Sequence, residues 1–182
     1  MKEHPIIFSG EMVRAILDGR KTQTRRIVKK HPFIEAGFTI DFINDPDNAG
    51  LCPYGQSGDR LWVRETYTNY DPVIYRADSG NEKQTAWNSP LYMPRRFSRI
   101  TLEITDVRVE RLQDISNNDA LAEGVPDIRT KKNNLDMRDC FRAPWDFLNA
   151  KSGYSWDINP WVWVISFKRI EQGRKPCKEQ YR

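Results

Sequence analysis

The segment Trp161–Phe167 constrains the fold more than any other stretch of this chain. Every residue in it except Ser166 is apolar, so a strand formed here would need burial on both of its faces. Strands of this kind lie in the interior of a sheet, because an edge or a solvent-facing strand alternates apolar and polar residues. The segment therefore predicts an interior strand with packed structure on either side.

Further strands are predicted upstream. Arg60–Thr66 would place Leu61 and Val63 on one face and Trp62 on the other, and Ser98–Leu112 is the longest strand signal in the chain. The apolar parity of the latter switches at Thr105-Asp106, which predicts a β-bulge of the kind that turns corners in barrels. Phe38–Ile43 predicts a short strand inside a loop-like segment. With no regular β-α-β alternation, these strands indicate an α+β fold built on a small mixed β-barrel with an N-terminal helix and helical insertions.

Capping residues and apolar periodicity predict three helices. The first begins after Ser9 and ends at Gly19, and the second opens with the capping box Ser116–Asp119 and stops at Gly124. The third spans about residues 138–149, with three apolar residues on its inner face: Phe141, Trp145 and Leu148.

Composition limits the functional classes. The chain has 182 residues, enough for one well-filled core, and a net charge of +4. Its three cysteines are far apart and form no C-x-x-C pair, and its two histidines lie in irregular segments. No apolar run is long enough to span a membrane, and no secretory signal precedes the first helix. These features predict a reduced, cytoplasmic protein without a metal or cofactor.

The stretch Gly19–Arg26 follows the first helix and carries the first candidate site. A lysine held near a hydroxyl can act as its base if burial or a neighbouring cation lowers the lysine pKa, and Lys21 and Thr24 offer that combination. The two residues have opposite parity in a strand, so they share a pocket only if Lys21 belongs to the turn. The helix stop at Gly19 favours that placement. The alternative is a basic turn that faces solvent.

Glu123 is the second candidate. It falls in the last turn of the second helix, where the helix dipole disfavours a carboxylate by about 0.3–1 kcal/mol. A solvated surface glutamate would tolerate that cost, whereas a general acid or base would make use of a shifted pKa. Both interpretations fit the spacing.

Basic and aromatic residues indicate a third possibility, RNA binding. One basic stretch comprises Arg14, Arg20, Arg25, Arg26, Lys29 and Lys30, and a second comprises Arg95, Arg96 and Arg99. Four aromatic residues are candidates for stacking on bases: Tyr54, Trp62, Tyr67 and Phe97. Large aromatic residues are more often buried in a core, which is the simpler interpretation of each.

The pattern Gly19-x-Lys21-x-x-Thr24-x-Arg26 resembles the G-x-K-x-x-E-x-R signature of the ASCH family, whose β-barrel is related to the PUA RNA-binding fold. The elements that follow it, Gly58-Asp59 before an apolar strand and the closing strand Trp161–Phe167, also resemble that family, and most of all its phage and prophage branch. The resemblance covers about residues 5–170. It implies one domain, residues 1–170, with insertions at about 28–53 and 126–158 and a charged tail at 171–182.

Thr24 stands where the signature usually has an acidic residue. The ASCH amidohydrolases that deacetylate N4-acetylcytidine are similar here, since they carry Gly-Arg-Lys-Thr-x-Thr-x-Arg. This resemblance implies a metal-independent hydrolase in which Thr24 attacks the acyl carbonyl, Lys21 accepts its proton and Glu123 assists proton transfer. From the basic and aromatic stretches, the candidate substrate-binding or RNA-binding residues are Arg20, Arg26, Trp62, Arg95 and Arg99. A non-catalytic RNA-binding module and a ribonuclease are the alternatives, with a nucleoside or RNA as the partner.

Overall fold

A computed structural model describes residues 1–28, 52–79, 86–127 and 136–170. Within these ranges five strands form one mixed sheet: β1 (Glu3–Ile7), β2 (Gln23–Ile27), β3 (Arg60–Arg64), β4 (Thr101–Arg111) and β5 (Trp161–Ile170). Their order across the sheet is β1-β3-β4-β5-β2. β1 runs parallel to β3, and every other neighbouring pair is antiparallel. The predicted strand at Phe38–Ile43, Lys29, Lys30 and the tail 171–182 lie outside the described residues.

β5 occupies the interior position that its sequence predicts. It pairs with β4 along one edge and with β2 along the other. Ile165 and Phe167 belong to a core on one face of the sheet, whereas Val162 and Val164 belong to a second core on the opposite face. The two apolar parities of this strand are therefore explained by two separate cores.

The predicted barrel is wrong, because the sheet formed by the described residues is open. A barrel requires its first and last strands to hydrogen-bond to each other, but β1 and β2 are the two edges of this sheet. The chain between them forms helix α1 (Gly10–Leu17), and its buried Val13 and Ile16 pack into the first core. The Arg26 side chain spans the two edges instead, donating from Nη2 to the Ile7 carbonyl at 2.6 Å.

The predicted β-bulge is confirmed. The register between β4 and β5 shifts between Ile104 and Asp106, which leaves Thr105 without a partner in the ladder. Ile104 and Val109 differ in parity, yet both are buried in the first core. Without the extra residue, the apolar side chains on one half of β4 would point to the opposite face of the sheet. The bulge keeps both halves of the strand facing the same core.

The three predicted helices are present. Ser9 caps α1 by accepting a hydrogen bond from the Met12 amide at 3.3 Å. The capping box of Ser116 and Asp119 opens α2 (Asn117–Ala122), as predicted. Helix α3 (Met137–Asn149) buries Phe141 and Trp145 against α2 and β5. None of the helices in the described ranges is long and apolar enough to cross a membrane.

One residue of α3 departs from the prediction. Leu148 was expected on the buried face, but it is 51 % exposed. The last turn of α3 extends beside a surface cavity, and Leu148 lines the wall of that cavity instead of packing on the sheet. Periodicity correctly predicted the side of α3 that buries Phe141 and Trp145, but not that this packing ends before Leu148.

Gly124 ends α2 in a left-handed conformation, with φ of +90°, and a Cβ there would lie 3.0 Å from the Cβ atoms of both Ala15 and Lys21. Gly124→Ala should lower the free energy of unfolding by about 2–4 kcal/mol, because backbone strain and steric overlap add. Urea unfolding followed by tryptophan fluorescence measures this change.

Gly153→Ala is the matched control for this experiment. Gly153 has φ of +85° but no atom within 4 Å of its would-be Cβ, so only the strain of about 1–2 kcal/mol should remain. Equal losses in the two variants would contradict close packing of Gly124 against Lys21.

Candidate active site

Lys21 lies in the turn between α1 and β2, as the stop at Gly19 predicts. Gly19 has φ of +74°, and β2 begins only at Gln23. Lys21 instead forms an isolated antiparallel bridge with Glu123, and the neighbouring Thr22 amide donates to the Ala122 carbonyl at 2.8 Å. The turn after α1 is thus attached directly to the end of α2.

The Lys21 side chain makes three hydrogen bonds. Its Nζ donates to Glu123 Oε2 at 2.6 Å, to the Glu123 carbonyl at 2.8 Å and to the Gln23 carbonyl at 2.8 Å. The Lys21 side chain is 0 % exposed and that of Glu123 is 5 % exposed. The solvent-facing interpretations of Lys21 and of Glu123 are therefore both wrong.

Burial sets the proton chemistry of this pair. Desolvation lowers the pKa of the Lys21 amine, the Glu123 carboxylate opposes that shift, and the charges of Arg26 and Arg25 add to it. Protonated Lys21 has no lone pair and therefore cannot act as a base. All three of its ammonium hydrogens are donated to acceptors. Transfer of one proton across the 2.6 Å contact to Glu123 would leave a neutral amine that can act as a base.

Thr24 is also buried, at 3 % exposure. It lies opposite Ile165 in the β2–β5 ladder, so its side chain faces the first core. The Gln23 carbonyl that accepts from Lys21 belongs to the peptide group that joins Gln23 to Thr24. Among the described residues, no hydrogen bond links the Thr24 hydroxyl to the Lys21 amine. The structure thus brings Lys21 and Glu123 into contact, and it links Lys21 to Thr24 only through the peptide group between Gln23 and Thr24.

Arg25, which the sequence analysis included in a basic stretch but not among the site residues, also contacts this pair. Its side chain is 0 % exposed, and its Nη1 donates to Gln23 Oε1 at 2.8 Å and to Glu123 Oε1 at 3.3 Å. Its Nη2 donates to Glu110 Oε1 at 2.5 Å. The alternation of β2 does place Arg25 on the face opposite Thr24. Nothing local in the sequence showed that α2 and α3 would cover that face.

A cavity of about 1050 Å³ opens next to Glu123, between α1, the end of α2 and α3. One part of its lining is apolar and includes Met12, Phe141, Pro144, Phe147 and Leu148. Another part is basic and includes Arg14, Arg20 and Arg76. Three acidic residues, Glu11, Asp18 and Glu123, complete the charged part of the lining. The cavity therefore offers apolar surface and charges of both signs to a bound molecule.

Two of the five predicted binding residues are near this site. Arg20 lines the cavity, pairs with Asp18 at 2.9 Å and donates to the Gly124 carbonyl at 3.1 Å. Arg26 lies on the other side of β2, where its guanidinium is 5.2 Å from the centre of the Phe8 ring. Arg26 thus contributes to the edge contact with β1 and not to the described lining of the cavity.

The other three are not part of the cavity lining. Trp62 is on the opposite face of β3 from the first core, and the guanidinium of Arg95 is 5.9 Å from its ring centre. Arg95 pairs with Glu3 at 2.9 Å. Arg99 binds the carboxylates of Glu65 and Asp78, so its charge is neutralised within the fold. The predicted binding residues do not form one surface.

Within residues 1–28, 52–79, 86–127 and 136–170, no group of three or more His, Cys, Asp or Glu side chains is arranged to hold a metal ion.

Comparisons with known proteins give structural likeness only. No family model and no curated protein matches the chain. An ASCH domain from Lactobacillus crispatus JV V101 resembles it with 15 % sequence identity and a TM-score of 0.48, over 92 % of this chain and 79 % of that one. Protein EF3133 from Enterococcus faecalis V583, of the DUF984 family, resembles it with 11 % identity and a TM-score of 0.43, over 86 % and 65 % of the two chains.

The buried contact between Lys21 and Glu123 predicts strong energetic coupling. Lys21→Met and Glu123→Gln should each lower the free energy of unfolding by about 3 kcal/mol, because each leaves a buried charge without its partner. The double substitution should cost less than the sum. Urea unfolding of the four proteins in this double-mutant cycle measures the coupling.

An exposed pair supplies the control. Lys168 and Glu103 are 2.8 Å apart with side chains 63 % and 34 % exposed, and their cycle should give a coupling below about 1 kcal/mol. If the coupling of Lys21 and Glu123 were equally small, the pair would not be a buried ion pair in solution.

Proposed function

We propose that this protein is a metal-independent amide hydrolase that acts on an acylated nucleoside or base similar to N4-acetylcytidine. The observation that carries the proposal is the contact between Lys21 and Glu123. These residues are 102 positions apart in sequence, fully or almost fully buried, and joined at 2.6 Å. The match of Lys21 and Thr24 to the ASCH amidohydrolase motif adds the hydroxyl that a covalent mechanism needs.

The proposed reaction begins with proton movement inside the site. Lys21 passes a proton to Glu123, and the neutral amine accepts the hydroxyl proton of Thr24 as its oxygen attacks the acyl carbonyl. The tetrahedral intermediate collapses, the amide C–N bond breaks, and the leaving amine takes a proton from the Lys21–Glu123 pair. Water then hydrolyses the ester on Thr24 and releases the carboxylic acid.

The hydroxyl of Thr24 must approach Lys21 for this sequence to run. The Lys21 amine is already hydrogen-bonded to the peptide group that carries Thr24, so the backbone position suits the reaction. In unliganded enzymes, catalytic hydrogen bonds often form only when the substrate is bound. Substrate binding therefore has to supply the final orientation of the side chain.

The cavity next to Glu123 supports a small-molecule substrate. Its volume of about 1050 Å³ is at the upper end of the range for ligand sites, which is enough for a nucleoside. The apolar wall formed by Phe141 and Phe147 suits a planar base. The arginines on the other wall suit the hydroxyl or phosphate groups of a sugar moiety.

The second candidate function is an RNA-binding module of phage or prophage origin. Trp62 favours it, because this residue lies on the outer face of the sheet with guanidinium groups of Arg64 and Arg95 at 5.3 and 5.9 Å. RNA binding of this kind should weaken steeply with salt and should survive Thr24→Val. RNA cleavage without added metal would instead indicate a ribonuclease.

Hydrolysis of N4-acetylcytidine to cytidine and acetate, followed by chromatography, tests the proposal. Thr24→Val should reduce kcat by at least about 100-fold, because it removes the nucleophile and nearly preserves side-chain volume. Thr22→Val is the matched control, because the Thr22 side chain is exposed two residues away and should leave turnover unchanged.

Lys21→Met completes the test, with circular dichroism to verify folding. Unaffected turnover in this folded variant would overturn the mechanism. Wild-type protein that is inactive on acylated nucleosides but binds RNA at low salt would replace the hydrolase with the second candidate.

A further inference from the structure

Arg25 lies outside the Lys-Thr-Glu set but touches its carboxylate. We propose that Arg25 is a positioning residue that holds the Glu123 carboxylate toward Lys21 and so determines where the proton shared by that pair rests. The catalytic consequence rests on the proposed function. The effect on Lys21 itself does not, and it can be measured without any substrate.

The Glu123 carboxylate is shared between two buried cations. Its Oε2 accepts from Lys21 at 2.6 Å, and its Oε1 accepts from Arg25 at 3.3 Å. The side chains of both cations are 0 % exposed. Rotation of the carboxylate would break one or both contacts, and each of the two cations would lose an acceptor while remaining buried, so Arg25 restricts the orientation of the atom that exchanges a proton with Lys21.

Arg25 is itself held from several directions. Glu110 and Gln23 each accept one of its hydrogen bonds, Asp119 Oδ2 is 3.6 Å from Nη2, and the Phe141 ring centre lies 6.0 Å from the guanidinium. Because both Nη atoms of the planar guanidinium are hydrogen-bonded, its orientation is fixed, and the ammonium group of a lysine could not make the same set of contacts. The anchoring residues come from β2, β4, α2 and α3.

The charges around the pair determine the direction of the effect. The charged groups that face Lys21 or Arg25 are Arg26 on β2, Glu110 on β4, Asp119 on α2 and Glu123 at its end. Arg108 on β4 contacts Glu110 and Asp119 from the other side. Loss of Arg25 removes a cation that disfavours the ammonium form of Lys21. The Lys21 pKa should therefore rise, and neutral amine should appear only at higher pH.

Arg25→Gln tests the inference, since glutamine keeps a hydrogen-bond donor and removes the charge. Nitrogen NMR of the Lys21 amine in the unliganded protein should show a higher pKa than in the wild type. The rising limb of kcat/KM against pH for N4-acetylcytidine should move to higher pH by the same amount, which lowers kcat/KM on the acidic side of the profile.

Two further variants complete the design. Arg108→Gln removes a neighbouring cation that contacts Glu110 and Asp119 but not Glu123, and it should leave the Lys21 pKa unchanged. Arg25→Lys keeps a charge without the rigid fork, so the Lys21 pKa should stay near that of the wild type while kcat falls with little change in KM. This variant also serves if Arg25→Gln does not fold.

The outcomes separate this inference from the proposed function. A Lys21 pKa that is the same in folded Arg25→Gln as in wild type would overturn the inference, as would a kcat in Arg25→Lys equal to that of wild type. A shifted pKa in a protein with no amide hydrolase activity would support the positioning role and reject the hydrolase.

Discussion

The rest of the structure depends on the buried contact between the Lys21 ammonium and the Glu123 carboxylate. It joins the turn after α1 to the end of α2, two parts of the chain separated by 102 residues. Burying two charges costs several kcal/mol per ion, and apolar residues of similar volume often stabilise a fold equally well. Stability alone is therefore a weak explanation for the pair. A role in chemistry, where a buried amine and a carboxylate can exchange a proton, explains it better.

The position of this pair follows from the two apolar faces of β5. Because β5 carries a core on each face, the adjacent edge strand β2 also presents its residues to two environments. Thr24 faces the core that contains α1, whereas Arg25 faces the residues of α2 and α3. Lys21 precedes the strand and is free of its alternation, so its amine can reach Glu123 on one side and the Thr24 peptide group on the other. The candidate site is consequently located at the junction of the two cores.

Local patterns predicted the elements of the fold, and long-range contacts decided the site. Capping at Ser9 and Ser116, the bulge at Thr105 and the placement of Lys21 in a turn all depend on neighbours within a few residues, and each was predicted. The open sheet, the burial of Glu123 and the importance of Arg25 depend on which distant segments pack together. A single sequence contains no direct signal for such packing, and a buried arginine in a basic stretch has the same local pattern as an exposed one.

The basic residues also have to be interpreted from long-range contacts and not from the local sequence pattern. Affinity for a polyanion comes from cations that release counterions from phosphates, and a guanidinium already paired with carboxylates contributes little. Arg99 is bound by Glu65 and Asp78, Arg95 by Glu3, and Arg25 by Glu110 and Glu123. The net charge of +4 is thus spread over a surface on which much of the arginine charge is already matched. The buried contact between the Lys21 amine and the Glu123 carboxylate lies at the edge of a cavity, because Glu123 is part of the cavity lining, and a surface for nucleic acid would make no use of that contact.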